Sequence, residues 1–195
     1  MFFETYRRLL ELEARYSTRV FSASEFTKLI RRQFPAADFS FRTHRDYAVD
    51  PNMVIIAGIY DCYNDAQSLP HTEITLCYHP EQETYSGHLF NWQQISFDIA
   101  ECIGHETVHR QQYKNKAKLK SYKSANSEQE YLGDESEIEA YGFSIAAESV
   151  VYKRPYSECT MFTVYKNTFD KDHSVIVKLQ KQIVKYLQQL EPYHE

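Results

Sequence analysis

Long apolar runs are missing from this sequence, and no stretch approaches the ~18 apolar residues that a membrane-spanning helix needs. The first residues, Met1 to Glu13, carry charges too often to form the apolar core of a signal peptide. Glycine and proline are also scarce, at 5 and 6 residues, which argues against long flexible linkers. The sequence therefore predicts a cytoplasmic protein with no membrane partner.

The four cysteines show no Cys-x-x-Cys pairing, and we interpret them as free thiols in a reducing compartment. Basic residues are outnumbered, since 22 Lys and Arg against 27 Asp and Glu give a net charge of −5. This balance makes nucleic acid an unlikely partner. Tyrosine is abundant, with 16 residues, and its polar tip allows it to line a groove without a dry core.

Hydrophobic periodicity predicts two helices, a small sheet and four further helices, which together make an α+β fold. Helical spacing occurs over 2–16, 24–33, 96–113, 135–152, 157–169 and 174–190, and strand-like patterns occur over 39–42, 53–60 and 72–78. We expect a single domain over residues 1–195. Its parts are a helical N-terminal region (1–35), a sheet (36–94), two helices with the candidate site (95–152) and C-terminal helices (153–195).

The most informative motif is His105-Glu106-Thr107-Val108-His109, an H-E-x-x-H pattern near the middle of a predicted helix. Residues four apart lie on one face of a helix, so His105 and His109 can direct two imidazoles at one ion. Glu106 is then placed to reach a water on that ion and act as a general base. The pattern predicts zinc, with Glu106 as the catalytic residue.

A third protein ligand is needed, and the segment after Gly133 offers several acidic residues. With the H-E-x-x-H helix before it, Glu137-Ile138-Glu139-Ala140-Tyr141-Gly142-Phe143 resembles the gluzincin-type metallopeptidases. Its likeness is to the small ImmA/IrrE-like branch, which carries Glu-x-x-Ala-Asn-x-Phe-Ala. Small zincin-like proteins of tailed phages are also similar. The resemblance covers residues 95–150 and departs at Tyr141, where that family has Asn or Asp to steady a ligand.

This resemblance implies a zincin-like fold, in which a small sheet packs on the H-E-x-x-H helix and further helices follow. It also implies that Glu137 completes the zinc site with His105 and His109. Glu139 and Glu135 are alternative third ligands. A different interpretation of the same segment is a capping box, because Asp134 is followed three residues later by Glu137.

Other residues near the motif remain open candidates. Cys102 lies almost on the face of His105, although a buried core position suits it better than a thiolate ligand. His71, His79 and His88 are candidates to orient the substrate or to replace Glu137 as a ligand. Tyr131 and Tyr141 are candidates to donate a hydrogen bond to an oxyanion.

The function that these features predict is a zinc-dependent hydrolase, most plausibly a peptidase acting on a peptide or protein. The resemblance implies that a sheet edge beside the motif helix aligns the substrate, and we expect the strand Thr72–Tyr78 to provide it. The alternative is a non-catalytic binding or assembly protein on a zincin scaffold, which the basic segment Lys114–Lys123 would permit. Family analogy alone suggests a third role, regulatory cleavage of a DNA-binding partner.

Overall fold

The computed structural model describes residues 2–16, 20–34, 39–50, 54–61, 71–81, 84–86, 92–115, 126–169, 173–190 and 192. In order, its elements are α1 (Phe2–Tyr16), β1 (Val20–Ser22), α2 (Ala23–Arg31), β2 (Phe39–Arg45), β3 (Val54–Asp61), β4 (His71–Tyr78), β5 (Thr84–Ser86), α3 (Trp92–Lys114), α4 (Glu128–Leu132), α5 (Glu135–Tyr152), a 3-10 turn (Tyr156–Glu158), α6 (Thr160–Thr168) and α7 (Ser174–Leu190). The α+β prediction is confirmed. Among the described residues, no helix combines the length and apolarity needed to cross a membrane.

Three of the strands form a mixed sheet in the order β2-β4-β3, with β2 parallel and β3 antiparallel to β4. The prediction that Thr72–Tyr78 provides an edge strand is wrong, because β4 lies in the middle and pairs on both sides. Both of its edges are occupied by neighbouring strands, so it cannot align a peptide. Among the strands the structure describes, β3 is an edge of this sheet.

The chain divides into two compact units, Met1–Glu106 and Thr107–Glu195, and the division falls inside α3. In the first unit, alternate residues of β4 and one stripe of α3 join a single apolar cluster, which includes Ile74, Ile99 and Ile103. The α2 helix of this unit begins with a capping box, in which Ser22 and Glu25 satisfy each other's backbone N–H groups. Apolar residues of β4 therefore share one core with the first half of α3.

In the second unit, α5 packs closely along α7, and the apolar cluster at their contact includes Ile138, Ile145, Leu179 and Ile183. Most of α5 is buried, so its apolar residues do not form a single stripe. That these units form one domain over residues 1–195 stays a prediction. Residues 116–123 of the basic segment, together with Cys62 and His88, lie outside the described residues.

Gly142 lies at a close approach of α5 and α7, because a Cβ at this position would collide with Cβ of Gln182. Replacing a helical glycine by alanine ordinarily stabilises a protein by about 1 kcal/mol. Here we expect Gly142→Ala to lower the free energy of unfolding by about 1–3 kcal/mol through overpacking. Urea denaturation of both proteins measures the difference. A gain in stability would show that the two helices do not meet at this glycine.

Candidate metal centre

The two motif histidines and one carboxylate form a buried group. His105 and His109 lie on α3, Glu137 lies in the first turn of α5, and their exposed fractions are 8%, 2% and 0%. One ligand atom from each side chain lies within 4.8 Å of the other two. Imidazole nitrogens and a carboxylate oxygen are donors suited to a divalent transition metal. This group could hold a metal ion.

Glu137 reaches this position because of how α5 begins. Asp134 caps the helix by accepting hydrogen bonds from the backbone N–H and the hydroxyl of Ser136. Glu137 comes three residues after Asp134, and its Oε1 lies 3.1 Å from Nε2 of His109. The helix-start interpretation of this segment is therefore correct for Asp134, while Glu137 approaches the candidate ligand His109.

The alternative ligands Glu135 and Glu139 are committed elsewhere. Glu135 is exposed and pairs with Lys178 of α7, with Nζ and Oε1 2.8 Å apart. Glu139 pairs with Lys185 at 2.6 Å. Burial alone would raise the pKa of Glu139, but hydrogen bonds from Lys185 and Gln112 outweigh it and hold this pKa below its ordinary value. Neither residue belongs to the metal-capable group found among the described residues.

Gln112 is a buried polar residue that sequence reasoning missed. It lies one turn after His109 on α3, and its Oε1 is 3.0 Å from Nδ1 of His109. Its Nε2 donates to Glu139 and to the backbone oxygen of Ser136. The spacing of three residues was the available signal, because residues i and i+3 of a helix are neighbours.

Glu106, the predicted catalytic residue, is 6% exposed and lies beside β3. A Cβ at Gly58 of that strand would be 3.2 Å from Oε1 of Glu106 and would collide with Sγ of Cys102. Glycine here lets the backbone of β3 approach α3 closely. The sequence carried a signal for this contact, since a lone glycine inside a strand often marks a close approach.

Cys102 is a core residue, as the sequence favoured. Its side chain is buried in the apolar cluster that includes Ile99 and Ile103. Burial, with the nearby charges of Glu101 and Glu106, raises the pKa of the Cys102 thiol well above its ordinary value. A protonated thiol is a poor metal ligand. Cys102 is also absent from the metal-capable group among the described residues.

Tyrosines surround Glu137 within the second unit. Burial, followed by the proximity of Tyr141 and Glu137, raises the pKa of Tyr131 far above its ordinary value. The rings of Tyr131 and Tyr141 meet edge to face at 6.4 Å, and Tyr141 contacts Tyr165 in the same way. Tyr131 therefore keeps its proton.

The other predicted histidines have different surroundings. His79 contacts the ring of Tyr47, and its Nδ1 accepts a hydrogen bond from the backbone of Glu81, which indicates a local structural role. His71 is the first residue of β4.

No protein-family model, curated protein or solved structure matches this chain. The interpretation of the site rests on the chain's own residues.

The contact at Gly58 can be tested with a compensating pair of substitutions. We expect Gly58→Ala to lower the free energy of unfolding by about 1–3 kcal/mol, because the new methyl group displaces Cys102. Cys102→Ala removes the colliding sulfur. The double variant should therefore lose less free energy of unfolding than the two single variants lose together. Thermal or urea denaturation of the four proteins measures this coupling. Additive losses would contradict the proposed contact.

Proposed function

We propose that this protein is a zincin-like, zinc-dependent hydrolase that acts as a metallopeptidase. The observation that carries the proposal is the buried group of His105, His109 and Glu137, with Glu106 on the same helix as the two histidines. Three protein ligands of this kind leave a fourth tetrahedral position for water, which is the arrangement of catalytic zinc. The donor set fits zinc, since two imidazoles and one carboxylate are the protein ligands of well-known catalytic zinc sites.

Bound zinc would supply a Lewis acid that polarises a substrate carbonyl and lowers the pKa of a water molecule. Glu106 follows His105 directly, and its carboxylate is proposed to accept the proton of the attacking water. The same carboxylate then delivers this proton to the leaving amine. Burial of Glu106 beside Gly58 restricts its motion, so the base is held in place before the substrate arrives.

The proposed substrate is a peptide or protein segment in extended form. β3 is the strand suited to align it, because it is an edge among the described strands and Gly58 brings its backbone to Glu106. We propose a reducing compartment, the cytoplasm, for this activity. The free state of Cys77, Cys102 and Cys159 supports it.

A second candidate function is a non-catalytic binding or assembly role on the same scaffold. One observation favours it: Ile55 and Ile59 of β3 are 46% and 62% exposed, and large apolar side chains on one strand face are typical of interaction surfaces. The two candidates differ in what they require of Glu106. Only the hydrolase needs its carboxylate for turnover.

Metal content is the first test. We expect the purified protein to retain about one zinc per chain, and His105→Ala to lose it because two protein ligands hold zinc far less tightly than three. His44→Ala is a matched control, since His44 is an exposed histidine of β2. Elemental analysis after dialysis measures the content. Equal zinc in all three proteins would place the metal elsewhere.

Turnover is the second test. Glu106→Gln keeps the size of the side chain and removes the base, so we expect zinc binding to persist while cleavage falls by about 10²-fold or more. Glu101→Gln, five residues earlier on α3, serves as the control. A fluorescence-quenched peptide library reports cleavage. Full activity in Glu106→Gln would exclude this mechanism, and no cleavage by the wild-type protein would favour the binding role.

A further inference from the structure

The side of His109 that faces away from Glu137 makes a directed hydrogen bond. Its Nδ1 lies 3.0 Å from Oε1 of Gln112, while its Nε2 lies 3.1 Å from Oε1 of Glu137. The two ring nitrogens therefore have separate partners. Because only one nitrogen of a neutral imidazole carries hydrogen, the identity of the atom opposite Nδ1 decides which nitrogen can bind a metal.

The orientation of the Gln112 amide follows from its other partners. Its nitrogen lies 3.1 Å from the backbone oxygen of Ser136 and 3.0 Å from Oε2 of Glu139. Both of these oxygens are acceptors only, so a reversed amide would place its own oxygen against two acceptors. The amide nitrogen must therefore face Ser136 and Glu139, and the amide oxygen must face His109.

This orientation fixes the tautomer of His109. An amide oxygen only accepts, so Nδ1 of His109 has to donate, and in the neutral ring the lone pair is then on Nε2. Nε2 is the nitrogen on the side of Glu137. Nε2 of His109 can therefore bind a cation, and it lies on the side of the candidate ligand Glu137.

Glu139 is in turn held by α7. Lys185 lies 2.6 Å from its Oε1, and the hydroxyl of Tyr186 donates to the same atom at 3.4 Å. The hydrogen bond from His109 to Gln112 and the one from Gln112 to Glu139 both run toward the carboxylate of Glu139. Such an aligned chain polarises the imidazole and makes Nε2 a stronger donor to a metal.

We propose that Gln112 and Glu139 are positioning residues for the metal site. They select the tautomer of His109 and orient its ring through the chain His109–Gln112–Glu139–Lys185. This inference rests on the proposed function, because it assigns a purpose to residues that support a proposed zinc ligand. The two carboxylates then have different roles: Glu139 supports the ligand His109, and Glu137 acts as a ligand itself.

The test compares the affinity for zinc with the stability of the metal-free protein. Gln112→Met keeps the length of the side chain and removes its hydrogen bonds, and we expect the Kd for zinc to rise by about 10- to 100-fold. Glu139→Gln keeps an acceptor but removes the charge, so its Kd should rise by about tenfold or less. Competition with a chromophoric chelator, at a temperature where each metal-free variant is fully folded, measures both values.

The chain supplies matched controls for both variants. Gln111→Met changes an exposed glutamine next to Gln112, and Glu135→Gln breaks the equivalent ion pair between α5 and α7. Neither should change the Kd for zinc. The absorption spectrum of the cobalt-substituted protein adds a second readout, and it should differ between Gln112→Met and Gln111→Met because the geometry of the His109 ligand is altered.

Failure of this inference and failure of the proposed function give two different results. In the first, the wild-type protein binds zinc and all four variants bind it with a Kd within about twofold of wild type. The hydrogen-bond chain then only stabilises the packing of the helices, so this inference is overturned while the proposed function stands. If the wild-type protein binds no zinc, the proposed function fails and the positioning role fails with it. A raised Kd in Gln112→Met and Glu139→Gln, but not in their controls, supports the inference.

Discussion

The constraint on which the candidate site depends is the burial of the Glu137 carboxylate. This side chain is fully buried, and an isolated charge in such surroundings costs several kcal/mol. A hydrogen bond with Tyr131 and the positive end of the α5 helix dipole reduce this cost. A divalent cation at the same point would compensate the charge further. Burying an acidic side chain there is consistent with a site for a cation.

The pattern Glu135-x-Glu137-x-Glu139 shows how helix geometry assigns different roles to similar residues. Glu135 and Glu139 are four residues apart and share one face, where they meet Lys178 and Lys185 of α7. Glu137 lies between them in sequence and points away from that face. One side of α5 therefore holds its neighbour through ion pairs, and another side presents the candidate ligand.

Local periodicity is what the sequence predicts well. The H-E-x-x-H helix, the helix that starts after Asp134 and the preference for Glu137 all follow from the 3.6-residue repeat or from the quoted resemblance, and the structure brings these residues together. The predicted edge position of Thr72–Tyr78 was wrong, because β4 pairs on one side with β3 and on the other with β2, whose residues come 33 positions earlier. Position along the chain says little about which strand lies at an edge.

Two supporting residues were missed because their roles depend on partners that are distant in sequence. Gly58 is needed only because Cys102 and Glu106 of α3 pass beside it. Gln112 acquires its orientation from Ser136 and Glu139, which lie 24 and 27 residues later. Spacing identified His105 and His109, and the resemblance pointed to Glu137. Neither could identify the residues that support these candidate ligands.

The central claim is that one cation is bound by His105, His109 and Glu137. Anomalous diffraction from crystals of the zinc-loaded protein, collected on both sides of the zinc absorption edge, tests it most directly. We predict a single strong peak about 2.0–2.2 Å from a nitrogen of each histidine and an oxygen of Glu137. A peak bonded to other side chains, or the absence of a peak between these three, would contradict the account.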